Sequence, residues 1–453
     1  MSNSEGTGAE KATRIRLFSF NTPQMRAFHL SWFAFFLCFF AWFGIAPLMG
    51  VVRKELQLTQ SQIGNIIIAS VAITILARLL VGWLLDRYGP RLTYTWVLIL
   101  GSLPVMGIGL ARDYESFLLF RLAIGAIGAS FVITQYHTSA MFAPNCVGTA
   151  NATTAGWGNV GGGAAQIVMP LLFSGLVAMG LGEFWGWRVA MIVPGAAMLL
   201  AGAAYYVFTQ DTPAGNLADL RRSSAASAAT PTKPRGAFKA ACADRRVWAL
   251  AMIYGASFGV EITIHNIAAL HFMDSHGLGI KSAGMVVAAF GLLAIFARTL
   301  GGWISDRTSL RFGLSGRAMV LGGVLFGQGL LLILFSRIGA LPLAVVSLIL
   351  FGLFVHMACG ATYALIPFIN RQAVGSVAGV VGAGGNVGAV LSGFLFKGAM
   401  PYSTALLLLG VAVTACSCLA LLVRFAPETE TMVTDEPPTA ADLSSYTSAP
   451  ASA

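Results

Sequence analysis

Two arginines and their positions in the chain suggest an anion-binding site. Arg78 and Arg298 each fall about eight residues before the end of a long apolar run, about 12 Å from the helix end at about 1.5 Å per residue. Neither has an acidic residue three or four positions away on its own helix. Two cations facing one polar interior repel each other unless an anion lies between them. We therefore predict an anion clamp. In the alternative interpretation each arginine pairs with a carbonyl or a lone buried carboxylate.

A second group of residues forms one stripe of a single predicted helix. Tyr254, Phe258, Glu261 and His265 are spaced i, i+4, i+7 and i+11. Glu261 is the only acidic residue well inside any apolar run, and a lone carboxylate in such a setting is a candidate proton carrier. We predict that Glu261 and His265 couple protons. The competing interpretation is that Glu261 permanently neutralises an arginine.

Three further histidines inside apolar runs show no metal-ligand spacing, and we interpret them as packing residues. They are His137, His271 and His356.

The composition of the chain indicates that lipid is its solvent. Of 453 residues, 57% are hydrophobic and 10% charged, and the mean hydropathy is +0.76. A soluble domain carries about 25% charged residues. The composition therefore excludes a soluble enzyme and a disordered protein. The 28 basic residues exceed the 18 acidic ones, but they are scattered in short loops, which argues against a nucleic-acid partner.

Twelve runs reach the length of about 20 mostly apolar residues that a spanning helix needs. The runs are 27–51, 62–85, 92–111, 115–142, 150–178, 187–208, 247–273, 282–304, 317–336, 341–368, 374–396 and 402–425. Placing the N-terminus inside leaves 18 basic residues on the cytoplasmic side and 7 outside. The excess of positive charge inside predicts a multi-pass protein of the cell (inner) membrane with both termini cytoplasmic.

The runs divide into two halves of six that repeat each other. Arg78-x3-Gly-Trp-x2-Asp-Arg recurs 220 residues later from Arg298, and Gly158-Asn-Val-Gly recurs 227 residues later from Gly385. Two related halves with a site between them are typical of transporters. The predicted divisions are a cytoplasmic N-terminal segment 1–26, an N-terminal six-helix bundle 27–208, a cytoplasmic linker 209–246, a C-terminal six-helix bundle 247–425 and a disordered cytoplasmic tail 426–453.

Several of these segments resemble a known family. Segment 82–91 resembles the loop motif of the major facilitator superfamily, and the glycine-rich segments 156–162 and 382–388 resemble paired signatures of the nitrate/nitrite porter family. Segments 210–216 and 258–261 are similar to the branch that contains proton-coupled nitrate transporters. The resemblance implies the major facilitator fold, an all-α membrane protein with twelve transmembrane helices in two pseudo-symmetric six-helix bundles, and alternating access.

The resemblance also implies which residues bind the substrate and which form the gate. The substrate-binding residues would be Arg78, Arg298, Tyr254, Asn159, Phe258, Phe131 and Asn386. Planar guanidinium groups with forked donors fit small planar oxyanions such as nitrate or nitrite. Gating at the cytoplasmic side is assigned to Asp86, Arg87, Arg91, Asp306 and Arg307.

The combined expectation is a secondary transporter that imports nitrate, with nitrite as a further substrate, by proton symport. The alternatives are a nitrate/nitrite exchanger without net proton coupling, a nitrate receptor that does not transport, and a carrier of another small anion such as formate. The sequence holds no nucleotide-binding loop and no catalytic arrangement, so we do not expect an enzyme. We expect no metal and no cofactor, and a monomer whose partners are nitrate, protons and lipid.

Overall fold

The computed structural model describes residues 10–143, 146–224, 237–370, 374–398 and 400–425, and these are almost entirely helical. The α-helices are α1 Pro23–Phe43, α2 Met49–Glu55, α3 Gln60–Gly107, α4 Tyr114–Gly125, α5 Ser130–Met141, α6 Val147–Leu176, α7 Gly182–Phe208, α8 Leu217–Ser224, α9 Ala237–Ala243, α10 Arg245–Tyr254, α11 Val260–His276, α12 Ile280–Leu292, α13 Ala294–Arg337, α14 Leu341–Ile369, α15 Val374–Leu395 and α16 Tyr402–Cys416. Short 3-10 or π segments connect some of them, at Ala46–Leu48, Ile108–Leu110, Ala126–Ala129, Val177–Leu181, Gly255–Gly259 and Ser417–Leu422. The predicted tail 426–453 lies outside the described residues, as do parts of the N-terminal segment and the linker, residues 1–9 and 225–236.

The number of membrane crossings depends on one very long helical stretch. Within the described ranges, eleven stretches are long and apolar enough to cross a membrane, whereas the sequence predicts twelve crossings. One of them, Ala150–Phe208, has 59 residues. At about 1.5 Å per residue it would be about 88 Å long, against about 30 Å for the hydrocarbon core. Gly180 and Gly182 break it with φ of 94° and 67°, so this stretch supplies two of the predicted crossings. The all-α membrane fold is confirmed.

Two further helices, α3 and α13, each combine two predicted crossings around a glycine with positive φ. Gly89 has φ of 84° and Gly313 has φ of 61°. A Cβ at Gly89 would lie 2.5 Å from Oδ1 of Asp211, so no other residue fits there without displacement. Asp211 also accepts from the backbone N–H groups of Arg91 at 2.8 Å and Leu217 at 2.9 Å. The start of the linker is therefore fastened to the bend of α3.

The two halves of the chain meet along a few helices. The helix α6 packs against α12 and α13, and α15 packs against α3. The approach is close because small residues line it: a Cβ at Gly163 of α6 would lie 2.8 Å from the backbone carbon of Gly291 in α12. These contacts place the interior faces of α3, α6, α13 and α15 around one region between the halves.

Polar contacts also join the halves at the end of the molecule that the topology predicts to lie outside. Arg53 of α2 forms an ion pair with Asp274 of α11 at 2.6 Å. The side-chain amide of Gln60 donates to the backbone oxygen of Met400 at 2.9 Å. The halves are thus tied together on this side in the conformation described.

Candidate functional site

Arg298 lies at the centre of a buried polar cluster. Its Nη2 donates to both carboxylate oxygens of Glu261, at 2.9 and 2.7 Å, and Glu261 is only 2% exposed. The amide of Asn159, oriented with its oxygen toward the guanidinium, accepts from Nη1 at 3.1 Å, from Nε at 3.0 Å and also from Nη2. Glu261 lies on α11 and Asn159 on α6. Arg298 therefore has one partner from each half of the chain.

Arg78 is held more loosely. Among the side chains that the structure describes, no carboxylate lies within ion-pair distance of Arg78. Its Nη1 donates to the backbone oxygen of Gly382 in α15 at 2.9 Å, and its Nε is buried with no hydrogen-bond partner in the described part of the chain. Its guanidinium carbon lies 6.0 Å from the centre of the Phe131 ring. Arg78 therefore has hydrogen-bond donors left for a ligand.

The two arginines thus differ in whether a neighbouring carboxylate neutralises their charge. The alternative to an anion clamp was that each arginine pairs with a carbonyl or a buried carboxylate. In the structure Arg298 pairs with a carboxylate and Arg78 with a carbonyl. The ion pair leaves Arg298 and Glu261 together without net charge, whereas Arg78 keeps its full charge. An anion between the two arginines would be attracted by Arg78 directly, and by Arg298 only in competition with Glu261.

A row of aromatic rings connects the two arginines. Phe131, beside the first arginine, lies 6.4 Å from Tyr363, which contacts Tyr254 edge-on at 5.2 Å. Tyr254 stacks on Phe258 at 5.0 Å with an interplanar angle of 9°. The guanidinium carbon of Arg298 lies 5.7 Å from the centre of the Phe258 ring. The rings form an apolar wall along the region between the two cations.

Tyr363 was missed by the sequence reasoning. It lies on α14 inside an apolar run, where neither its charge nor its spacing distinguishes it from a packing residue. The signal in the sequence was the glycine-rich segment 382–388, which lies opposite Tyr363. In the structure a Cβ at Gly382 would lie 3.4 Å from both the Tyr363 hydroxyl and Nη1 of Arg78.

Asn386 has an unsatisfied side chain. It is fully buried, and neither of its amide atoms has a hydrogen-bond partner among the described residues. It follows Gly382 by one helical turn and so lies on the side of α15 that meets α3. Unlike Asn159, it does not contact either arginine through a hydrogen bond that the structure describes.

The carboxylate of Glu261 has neighbours on α14 that the sequence did not single out. His356 Nδ1 lies 3.6 Å from Glu261 Oε2, and the thiol of Cys359 donates to the same oxygen at 3.6 Å. His265, which shares the stripe of Glu261, is buried between the rings of Phe43 and Phe290, with centroid distances of 4.9 and 5.3 Å. The structure therefore brings His356 directly to the carboxylate, while His265 packs one turn away.

The residues assigned to gating show contacts within their own halves. Arg91 Nε donates to the backbone oxygen of Tyr206 at 2.8 Å, and Asp306 pairs with Arg317 on the same helix. The side chain of Asp86 is outside the part of the chain that the structure describes. A latch between the halves stays a prediction.

The sequence repeat reappears as a repeated contact. The guanidinium of Arg87 lies 5.4 Å from the centre of the Trp83 ring, and that of Arg307 lies 5.5 Å from the centre of the Trp303 ring. Each pair is spaced i, i+4 on its helix, which brings the two side chains to one face. Both halves therefore build the same corner after their second crossing.

Comparison with known proteins agrees with the fold. Residues 31–392 match the Major Facilitator Superfamily. The chain is 40% identical over 417 residues to High affinity nitrate transporter 2.5 of Arabidopsis thaliana, covering 92% of this chain and 82% of the relative. The chain belongs to the nitrate/nitrite porter family of the major facilitator superfamily. The resemblance seen in the motifs is confirmed.

Other relatives support this membership. Nitrate/nitrite transporter NrtP of Nostoc punctiforme is 30% identical over 446 residues, covering 83% of this chain and 87% of the relative. A solved structure of a bacterial homolog to the human lysosomal transporter Spinster, in an inward-facing and occupied conformation, has a TM-score of 0.67 at 16% identity. It covers 89% of this chain and 99% of that chain, and the likeness shows a shared fold. As a member of this transporter family, the protein is a multi-pass membrane transporter and not an enzyme.

Proposed function

We propose that the protein imports nitrate, and nitrite as a second substrate, by proton symport through alternating access. Its relatives in Arabidopsis thaliana and Nostoc punctiforme are named nitrate and nitrate/nitrite transporters. The observation that carries the proposal is the buried Arg298–Glu261 ion pair, connected by a row of aromatic rings to a second arginine that has no carboxylate partner among the described residues. This arrangement offers an anion two guanidinium groups and offers a proton one carboxylate.

Anion binding follows from the geometry of the two guanidinium groups. Nitrate is planar and singly charged, which suits two forked donors, and the aromatic row supplies a flat apolar wall. The anion meets Arg78 first because Arg298 is neutralised by Glu261. With its oxygen facing Arg298, the amide of Asn159 keeps its NH2 group for an oxygen atom of the anion.

Proton coupling follows from the charges of the same three groups. Arg78, Arg298 and ionised Glu261 carry a net charge of +1, and protonation of Glu261 raises it to +2. The second state binds a monovalent anion better and also frees Arg298 from its carboxylate. By reciprocal linkage, nitrate in turn favours protonation of Glu261. Proton and anion therefore travel together.

Alternating access requires that anion binding change the contacts between the two halves. The Arg78–Gly382 and Arg298–Asn159 contacts each cross between the halves. An anion that joins the two arginines would therefore change how the halves are held together. We assign the two six-helix bundles, at 27–208 and 247–425, as the moving bodies. The corners containing Asp86, Arg87, Arg91, Asp306 and Arg307 would close the cytoplasmic side.

The proposal includes a location and an assembly state. The protein resides as a monomer in the cell (inner) membrane with both termini cytoplasmic, as the distribution of basic residues predicts.

Nitrate uptake into proteoliposomes tests the proposal. Purified protein is assayed with and without an inward proton gradient, and with an empty lumen or with nitrite trapped inside. Symport predicts accumulation driven by the proton gradient into an empty lumen. Uptake that requires trapped nitrite would instead establish exchange. In that case the Arg298–Glu261 ion pair would stay intact throughout the cycle and Glu261 would carry no proton. Binding without movement would indicate a receptor, and movement of formate but not nitrate would indicate another substrate.

A further inference from the structure

We propose that His356 and Glu261 share one proton, so that the proton-binding site of the carrier is this pair rather than Glu261 alone. This inference deepens the proposed function and rests on it for the identity of the anion that moves with the proton. His356 is a side chain that the sequence analysis interpreted as packing.

The hydrogen bonding of His356 fixes its tautomer. Its Nε2 lies 3.2 Å from the backbone oxygen of Phe290, and its side chain is completely buried. A carbonyl oxygen only accepts hydrogen bonds, so Nε2 must carry the hydrogen. In the neutral ring Nδ1 is then an acceptor, and it has no hydrogen-bond partner among the described residues.

The unpartnered Nδ1 faces a second acceptor. The nearest acidic oxygen is Oε2 of Glu261 at 3.6 Å, and an ionised carboxylate can only accept. Two lone pairs facing each other in a buried site repel each other, and Nδ1 of His356 is left without a donor, whereas Oε2 still accepts from Arg298. A single proton between Nδ1 and Oε2 satisfies both, as an imidazolium–carboxylate pair or as a carboxylic acid that donates to imidazole.

The other charged and titratable groups around the pair do not replace this proton. Arg298 of α13 donates to Oε1 and Oε2 of Glu261 but does not donate to Nδ1 of His356. The thiol of Cys359, also on α14, approaches Oε2 at 3.6 Å and is a weak donor. The ring of His265 on α11 is packed between two phenylalanine rings, and its Nδ1 has no hydrogen-bond partner within the described ranges.

Sharing a proton would make Glu261 a switch between two partners. A charge-assisted N–H···O bond is about 2.7–2.9 Å long, so the 3.6 Å separation would have to shorten by a little under 1 Å on protonation. That movement draws the carboxyl group from Arg298 on α13 toward His356 on α14. Arg298 then has donors available for the anion, so His356 acts as a positioning residue for the clamp.

Infrared difference spectra between alkaline and acidic buffer test the shared proton without nitrate. One titration step should appear in the wild type and be lost in both Glu261→Gln and His356→Gln. The glutamine at position 356 can still donate to the Phe290 carbonyl but has no basic nitrogen facing Glu261. His271→Gln is the matched control, because His271 is also buried on an apolar helix but its Nδ1 contacts Ser275 at 3.2 Å. Separate titration steps that each survive the other substitution would overturn the inference.

Transport in proteoliposomes supplies the second readout. His356→Gln should lower proton-gradient-driven nitrate accumulation much more than nitrate counterflow, because counterflow needs no net proton movement. For one coupled proton, a gradient of one pH unit drives about tenfold accumulation, and this gain should disappear. If His356→Gln retains the full gradient-driven accumulation, the inference is wrong. If the wild type moves no nitrate at all, the proposed substrate is wrong, and the infrared titration still decides whether the proton is shared.

Discussion

Replacing Glu261 by glutamine should strengthen nitrate binding at high pH while abolishing proton-driven accumulation. In the structure Glu261 occupies Arg298 through two hydrogen bonds of 2.9 and 2.7 Å. Glutamine has nearly the same shape and can still accept from Arg298, but it carries no charge. The site then stays at a net +2 whatever the pH, as it does in the protonated wild type.

The size of the effect follows from the bonds that the anion must displace. A hydrogen bond to a charged group contributes about 1.5–3 kcal/mol net, against about 1 kcal/mol for a neutral one. Removing the carboxylate charge should therefore favour the anion by about 0.5–2 kcal/mol, which is about 2- to 30-fold in affinity. Because protonation of wild-type Glu261 removes the same charge, the gain should shrink as the pH falls.

Nitrate titration calorimetry over a range of pH measures this effect. The wild type should bind more tightly as the pH falls, and Glu261→Gln should bind tightly at every pH. Glu55→Gln is the matched control, since Glu55 pairs with Arg188 at 2.6 Å outside the candidate site. Its nitrate affinity should follow the wild-type pH profile. Weaker nitrate binding in Glu261→Gln, or full accumulation by this variant in a proton gradient, would refute the reasoning.

Three other substitutions probe the clamp, the bend of α3 and the contact between the halves. Arg78→Lys keeps the charge but loses the planar fork, so nitrate binding should weaken by about 1.5–3 kcal/mol, roughly 10- to 150-fold, in the same calorimetric titration. Gly89→Ala should destabilise the protein by about 1–3 kcal/mol in thermal unfolding, because φ is 84° and the new Cβ would meet Asp211. Arg53→Gln removes the partly exposed ion pair with Asp274, which contributes about 0–1 kcal/mol. Distances between spin labels on the two halves report the populations of the conformations with this contact closed and open. The substitution should change the ratio of these populations by at most about fivefold, and by less at high salt.

Much of the fold was predictable because lipid imposes a simple pattern on sequence. Apolar runs of the right length gave the crossings, and the repeated Arg78 and Arg298 segments indicated two related halves. The two predicted crossings 150–178 and 187–208 form one continuous helical stretch in the structure, because the chain bends at Gly180 and Gly182 without leaving the helix for a long loop.

The partners within the site were less predictable. Helical spacing indicates which face a residue lies on, and it groups Tyr254, Phe258 and Glu261, of which Phe258 and Glu261 both contact Arg298 in the structure. Spacing does not identify a neighbour on a helix about 100 residues away, and so it missed Tyr363 and His356 on α14. His265 was favoured over His356 because it shares the helix of Glu261. The helical packing instead brings His356 within 3.6 Å of the carboxylate.

The most direct measurement is a structure of the purified protein with bound nitrate at mildly acidic pH. We predict density for the anion between Arg78 and Arg298, against the ring of Phe258, with the Glu261 carboxyl group moved from Arg298 toward His356. Nitrate bound elsewhere, or bound while the Arg298–Glu261 ion pair stays intact, would contradict the account.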